Sequence, residues 1–295
     1  MPYSYLANPR ETRAVLERYG LAPRHRLGQN FLVNDDVIRQ IVALAELDEN
    51  DVVYEVGPGI GTLTVALLSR VKRVVAVEAD RSLPDVLAET CAQDGERLSL
   101  VRGDALRVDA AQLSEAAGSA PNKLVSNLPY QVAATLILNV LEHMPSIERM
   151  VVMVQAEVAD RIAARPGGKE YGAYTAKLAL FGQVTGRFEV GPGNFMPPPH
   201  VDSAVVRIDR NAAACADPAR VATIIDAAFA QRRKTIRNSM VAKGFEKAVL
   251  DEAFARADID PRTRAEKLAP EDFMRLAEAL TREDGTSSLG ADSTS

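Results

Sequence analysis

Asp51-Val52-Val53-Tyr54-Glu55-Val56-Gly57-Pro58-Gly59-Ile60-Gly61 is the stretch that decides the fold. Asp51 to Val56 reads as a short buried strand, and it stops at a glycine-rich turn from which a helix, Thr62 to Arg70, departs. The same alternation continues outward. Strands are expected at Arg73–Glu78, at Leu98–Val101 closing on Gly103-Asp104, at Lys123–Ser126 and at Met150–Val154. Helices are expected at Leu83–Ala92, at Ala133–Leu141 and from the last strand to about Ala164. Such repetition predicts an α/β fold, a parallel, doubly wound sheet with helices on both faces. Ligands of these sheets sit beyond the carboxyl ends of the strands, and every polar motif below lies at such an end.

Upstream, Ala22 to Val33 is a loop carrying Arg24, His25 and Arg26, and it ends in Leu27-Gly28-Gln29-Asn30-Phe31-Leu32. Asn34 or Asp35 caps the next helix, whose apolar positions Val37, Ile38, Ile41, Val42, Leu44 and Ala45 keep near-helical spacing. Downstream, Gln183–Val190 and Val201–Ile208 form a hairpin-like pair flanking a Gly- and Pro-rich loop, Gly191 to His200, with Phe195 exposed in it. After a linker from Asn211 to Pro218 the chain is helical to about Leu280, and the Ser/Thr/Gly/Asp tail from Thr281 to Ser295 is expected to be disordered. The resulting division is a basic extension (1–26), a ligand-binding α/β domain (27–210), a small all-helical domain (211–280) and a tail (281–295).

The chain has 295 residues, of which 47% are hydrophobic and 25% charged, enough for a sizeable core and ordinary for a globular protein. It has no apolar run of about 18 residues, so no membrane span is expected. Met1 to Arg10 lacks the layout of a secretory signal. Cys91 and Cys215 stand alone without a nearby His at ligand spacing, which argues against a disulfide framework or a metal site and fits the cytoplasm. The net charge of −5 speaks mildly against a nucleic-acid partner. Two local patches speak the other way: Arg10–Arg26 holds five Arg against Glu11 and Glu17, and Arg220–Lys247 holds seven basic residues against Asp226 and Glu246.

The strand ends carry the chemistry. Gly57, Gly59 and Gly61 allow a sharp turn and close approach of a ligand. Their G-x-G-x-G spacing brings the third Gly one residue earlier than in dinucleotide binders, and Pro58 removes an amide that a phosphate could use. A neutral or cationic nucleoside suits this turn better than a pyrophosphate, and with Glu55 nearby a sulfonium-bearing ligand fits. Glu78, about twenty residues on, is placed to accept the hydroxyls of a ribose, and Asp104 to accept from an adenine amino group. Asn127-Leu128-Pro129-Tyr130 supplies an amide, a backbone carbonyl, a stiff turn and an aromatic face, which together can hold an exocyclic amine on a planar base. Singly, each of these is an ordinary strand end or turn. On successive strands they describe a pocket.

Leu27-Gly28-Gln29-Asn30-Phe31-Leu32, Glu55-Val56-Gly57-Pro58-Gly59, Glu78, Gly103-Asp104 and Asn127-Leu128-Pro129-Tyr130 together resemble the rRNA adenine dimethyltransferase family. The run from Phe195 through Pro197-Pro198-Pro199-His200-Val201-Asp202-Ser203 to Arg207, and the run from Phe229 through Gln231-Arg232-Arg233-Lys234-Thr235-Ile236-Arg237-Asn238 to Ser239, are similar to its small-subunit branch. The resemblance covers about Arg24 to Leu280. It implies a Rossmann-like class I methyltransferase fold using S-adenosyl-L-methionine. It also implies N6,N6-dimethylation of two adjacent adenosines in a hairpin near the 3′ end of 16S rRNA, within the 30S subunit or its precursor, and a role in late assembly by a monomeric protein that needs no metal. Position by position, it implies cofactor binding by Asn30, Leu32, Gly57, Glu78, Asp104 and Asn127. Asn127, Leu128, Pro129 and Tyr130 would form the catalytic turn, with Tyr130 and Phe195 as stacking faces for the target base. RNA contacts would come from Arg232, Arg233, Lys234 and Arg237. Two departures stand out: Gln131-Val132 occupies a place where the family often has Asn-Ile, and Pro84 interrupts the first turn of a helix.

Three rival functions remain. A large-subunit rRNA methylase shares the pocket motifs but not the Arg-Arg-Lys-Thr-Ile-Arg-Asn run. A ribosome-assembly factor would act through binding alone. A nicotinamide oxidoreductase is disfavoured by the early third glycine.

Overall fold

The computed structural model describes residues 2–21, 30–212 and 215–284. The basic trio Arg24, His25 and Arg26, the Leu27-Gly28-Gln29 run and the last eleven residues of the tail lie outside the described residues. The elements in chain order are α1 (Pro9–Arg18), β1 (Phe31–Leu32), α2 (Asp35–Ala45), β2 (Val52–Val56), α3 (Thr62–Leu68), β3 (Arg73–Glu78), α4 (Pro84–Thr90), β4 (Leu98–Arg102), α5 (Ala110–Ala117), β5 (Lys123–Asn127) and α6 (Ala133–His143). They continue with β6 (Arg149–Gln155), α7 (Ala156–Ile162), α8 (Ala173–Leu178), β7 (Gly182–Val190), β8 (Phe195–Met196), β9 (Ser203–Arg210), α9 (Pro218–Phe229), α10 (Ile236–Val241), α11 (Lys247–Ala257) and α12 (Pro270–Asp284).

The main sheet runs β4-β3-β2-β5-β6-β9-β7. β2 to β6 are parallel, as expected, and β9 joins β6 antiparallel from Arg149↔Asp209 to Gln155↔Ser203. Strand order reverses between β2 and β5, so their carboxyl ends diverge and leave a crevice, the switch point at which such sheets bind ligands. Val53, Val74, Val125, Val151, Met153 and Val205 form one core with Ile38 and Ile41 of α2 and Leu63 and Leu67 of α3. Their strand neighbours Tyr54, Val75, Leu124 and Val152 are equally buried, as a sheet covered on both faces requires.

At the opposite, amino ends of the strands sits a buried ion pair. Lys123 Nζ lies 2.7 Å from Asp51 Oδ2, both side chains nearly buried. Lys123 also donates to the Glu46 carbonyl at the end of α2, and Asp51 accepts from Asn122 Nδ2 and from the Asp48 amide. Arg149 and Arg207 donate to the carbonyls of Ala45 and Leu44, so three cations satisfy the exposed carbonyl end of α2.

The described residues fall into two compact units, one within 1–159 and 183–210, the other within 160–182 and 211–284. This differs from the division read in the sequence in three places. Residues 2–21 are no separate extension: Asn8 caps α1, Pro9 occupies its first position, and Leu16 packs with Phe31, Ile60, Leu83 and Val86. Residues 160–182 belong with the helices, because Tyr171, Ala176 and Leu180 join the core formed by Ile224, Ile225, Phe254 and Phe273. The helical unit also extends past Leu280, since α12 runs to Asp284 rather than giving way to a disordered tail at Thr281. Pro84 starts α4 at the N1 position instead of interrupting it. Among the described residues no helix is long and apolar enough to cross a membrane.

Candidate active site

A cavity of about 220 Å³ opens at the switch point. Asn30, Leu32, Gly57, Glu78, Asp104, Asn127, Leu128, Pro129 and Tyr130 all line it. The strand-end residues Gly57, Glu78, Asp104 and Asn127–Tyr130 therefore meet at one cavity, and Asn30 and Leu32, named by the resemblance alone, line it with them.

The glycine turn forms the floor. Gly57, Gly59 and Gly61 have φ of +63°, +62° and +91°, the left-handed region in which a side chain is strained. A Cβ on Gly57 would stand 3.4 Å from Pro129 Cγ, and one on Gly59 would stand 3.3 Å from Phe31 Cε1. The turn and the Asn127–Tyr130 segment thus touch directly. The Gly57 amide donates to the Val77 carbonyl (2.9 Å), and the Gly59 amide donates to Glu78 Oε2 (3.3 Å).

Glu78 also accepts from the Asp80 amide through Oε1 (2.7 Å), so two backbone donors fix its carboxylate at the cavity wall. Burial raises its pKa, and the Asp80 and Gly59 amides oppose that rise. Asp104 is more exposed, and its Oδ1 accepts from the Leu106 amide (3.0 Å).

Asn127 ends β5 opposite Met153. The Leu128 amide donates to the Met153 carbonyl (3.1 Å), and the Pro129 carbonyl accepts from the amides of Val132 and Ala133 (3.1 Å each), which locks the turn into the start of α6. Tyr130 is half-buried, with its hydroxyl 2.7 Å from Ser203 Oγ on β9. Burial raises the phenol's pKa, with the Ser203 hydrogen bond acting against it. Spacing in the sequence does not single out Ser203, which is fully buried, although it lies in the Pro-Pro-Pro-His-Val-Asp-Ser run. Ser203→Ala is expected to loosen the ring and slow turnover by up to about tenfold, the worth of one hydrogen bond, with affinity for the ligand of the cavity unchanged. Steady-state kinetics beside a ligand titration checks this.

Phe195 requires a correction. It is not exposed in a loop but 3% accessible, and it does not line the cavity. β8 pairs antiparallel with β1, Leu32 opposite Phe195, and this draws the ring into the main core behind the cavity wall. It packs in one core with Leu32, and the aromatic side chains that line the cavity are Phe31 and Tyr130.

The proposed RNA contacts lie in the helical unit. Arg232, Arg233 and Lys234 are exposed. Arg232 donates to the Lys169 carbonyl (2.9 Å), which brings the 165–169 loop, with Arg165 and Lys169, beside this turn. Arg237 is less exposed than these neighbours and is held by Asp251 at 3.1 Å, a closer pair than that of Arg232 with Glu266 at 3.8 Å. Among the described residues no group of His, Cys, Asp and Glu could hold a metal ion.

The glycine turn, whose left-handed φ angles strain any side chain, and the buried acceptor Glu78 fit a nucleoside cofactor. The ribosomal RNA adenine dimethylase family model matches residues 20–282. The ribosomal RNA small subunit methyltransferase A of Thermobifida fusca (strain YX) is 42% identical over 279 residues, spanning 92% of this chain and 96% of the relative. Among solved structures, a dimethyladenosine transferase from Plasmodium falciparum superposes with a TM-score of 0.76 at 24% identity, over 86% of this chain and 98% of that one. The 23S rRNA methyltransferase ErmE superposes with a TM-score of 0.64 at 26% identity, over 85% of this chain and 100% of that one. The fold is therefore that of the Rossmann-like class I methyltransferases, and the chain belongs to the ribosomal RNA adenine dimethylase family.

Proposed function

We propose that this protein uses S-adenosyl-L-methionine to dimethylate N6 of two adjacent adenosines in a hairpin near the 3′ end of 16S rRNA, within the 30S subunit or its precursor. The observation that carries the reading is the single cavity on which the glycine turn, Glu78, Asp104 and Asn127–Tyr130 converge. Identity of 42% over 92% of this chain to a small-subunit methyltransferase supports the small subunit.

Glu78 would hold the cofactor's ribose, Asp104 its adenine amino group, and Asn30, Leu32 and Gly57 the rest of its surface. Bound there, the cofactor supplies an electrophilic methyl group. Adenine's exocyclic nitrogen is a poor nucleophile because its lone pair is delocalised into the ring. The Asn127 side chain and the Leu128 carbonyl would accept its two N–H bonds and favour a pyramidal nitrogen with the lone pair free. Tyr130 would stack on the base and repay part of the cost of unstacking it, about 1–3 kcal/mol. No side chain need act as a general base, since the alkylated nitrogen is cationic and loses its proton to water. The chain's contribution is chiefly placement.

Arg232, Arg233 and Lys234 would bind phosphates, positioning RNA without choosing a base. Its lower exposure and its closer pairing, with Asp251 at 3.1 Å against 3.8 Å between Arg232 and Glu266, make Arg237 the weakest of the four assigned contacts. Purified undermethylated 30S and 50S particles, incubated with labelled cofactor, test the assignment. Label is expected in 30S only, at adjacent adenosines located by primer extension across the 3′ hairpin, and label confined to 50S would overturn it.

A further inference from the structure

Glu55 plays no part in the mechanism above, yet it is the most unusual group at the site. It stands next to last in β2, is 2% accessible, and belongs to the cavity wall. Its Oε2 is fully buried and has no hydrogen-bond partner. The groups facing it are all neutral or acidic. From β3 comes Glu78, from α3 the Thr64 hydroxyl, a neutral donor close enough to favour the charged form, and from the end of α4 the buried free thiol of Cys91. Behind Glu78 lies Asp80, also acidic and buried. Among the described residues no Arg or Lys pairs with Glu55.

A buried carboxyl with an acidic neighbour and no cation is stable only when it carries its proton. Burial pushes Glu55 up to about 8, with the Thr64 hydroxyl opposing the rise and the charge of Glu78 adding to it. The thiol of Cys91, pushed up to about 12 by burial, stays neutral beside it. What the site lacks is a positive charge, and a sulfonium ligand brings one.

We infer that Glu55 is the proton-exchanging counter-charge of the cofactor site, protonated when the site is empty and ionised when the cationic cofactor occupies it. The inference rests on the cofactor reading and adds a specificity to it. On binding, one O–H bond of the carboxyl breaks heterolytically and the proton goes to solvent, leaving a carboxylate to balance the ligand's net positive charge. S-adenosylhomocysteine, the thioether product, lacks the sulfonium charge and gains less from that carboxylate. Glu55 therefore favours substrate over product.

The sign follows from linkage. Binding favours the ionised form, so affinity for the cofactor is flat at low pH, where Glu55 is protonated both free and bound. It rises up to tenfold per pH unit between the bound and free pKa, and is flat again above about 8.

Calorimetric titrations at pH 7 in two buffers of different ionisation heat count the protons. Wild type is expected to release at least about half a proton per S-adenosylmethionine bound and distinctly less per S-adenosylhomocysteine. Glu55→Gln is expected to release equally little with both, because the amino group common to the two ligands contributes alike. Equal release by wild type with both ligands would overturn the inference while leaving the cofactor assignment intact. So would unchanged release in Glu55→Gln. Failure of either ligand to bind wild type would overturn the cofactor reading, and this inference with it. The wild-type comparison needs no variant, so it decides the matter even if Glu55→Gln misfolds.

Discussion

Asn127→Ala is expected to remove methyl transfer while leaving cofactor affinity within about tenfold, or 1.4 kcal/mol. The reason is positional. Asn127 stands at the end of β5, its backbone held opposite Met153, while the other stretches that wall the cofactor cavity are left untouched by the substitution. What disappears is the side-chain acceptor proposed for the adenine amine. Misplacement by about 1 Å at a reacting centre costs on the order of 100-fold, so the single-turnover rate should fall by at least that much. Quench-flow methylation of 30S particles, run beside a cofactor titration, reads both quantities. A variant as fast as wild type would sink the proposed orientation of the amine.

Lys123→Ala is expected to be the most damaging substitution away from the site. Lys123 and Asp51 are both nearly buried, 2.7 Å apart, and Lys123 also closes the end of α2 through the Glu46 carbonyl. Removing the cation leaves Asp51 charged, buried and reliant on Asn122 and the Asp48 amide alone. Breaking one side of such a pair costs about 3–5 kcal/mol, whereas replacing both partners by apolar groups of similar size is often neutral. Denaturant unfolding should therefore show Lys123→Ala strongly destabilised and the double variant Lys123→Met, Asp51→Leu largely restored. A single variant within about 1 kcal/mol of wild type would show that the pair is solvated.

The sheet is legible in the sequence because its strands are compact apolar runs separated by clear turns, and because chemistry gathers at strand ends. Gly57, Glu78, Asp104 and Asn127–Tyr130 can be placed together for that reason, whereas Asn30 and Leu32 join them only through the family resemblance. What is not legible depends on partners distant in the chain. The burial of Phe195 comes from its pairing with Leu32, which no local pattern announces. The allegiance of 160–182 comes from a core whose other members follow residue 211. α1 and α5 escape a reading by periodicity although both carry start signals, Asn8-Pro9 and the Asp109/Gln112 capping box, because their apolar stripes are thin. The orphaned oxygen of Glu55 and the Tyr130–Ser203 bond are matters of side-chain geometry that spacing alone does not encode.

The chain passes between its two compact units three times, after residues 159, 182 and 210. Neither unit can be freed by one cut. A protein ending at Arg210 would keep Tyr171, Ala176 and Leu180 but lose Ile224, Phe254 and Phe273, the residues that bury them. Its stranded apolar surface would invite aggregation, and loss of function in such a truncation would reveal little about RNA binding. Domain exchange follows the same logic. A helical unit taken from a relative would have to bring its own counterpart of residues 160–182 along with it.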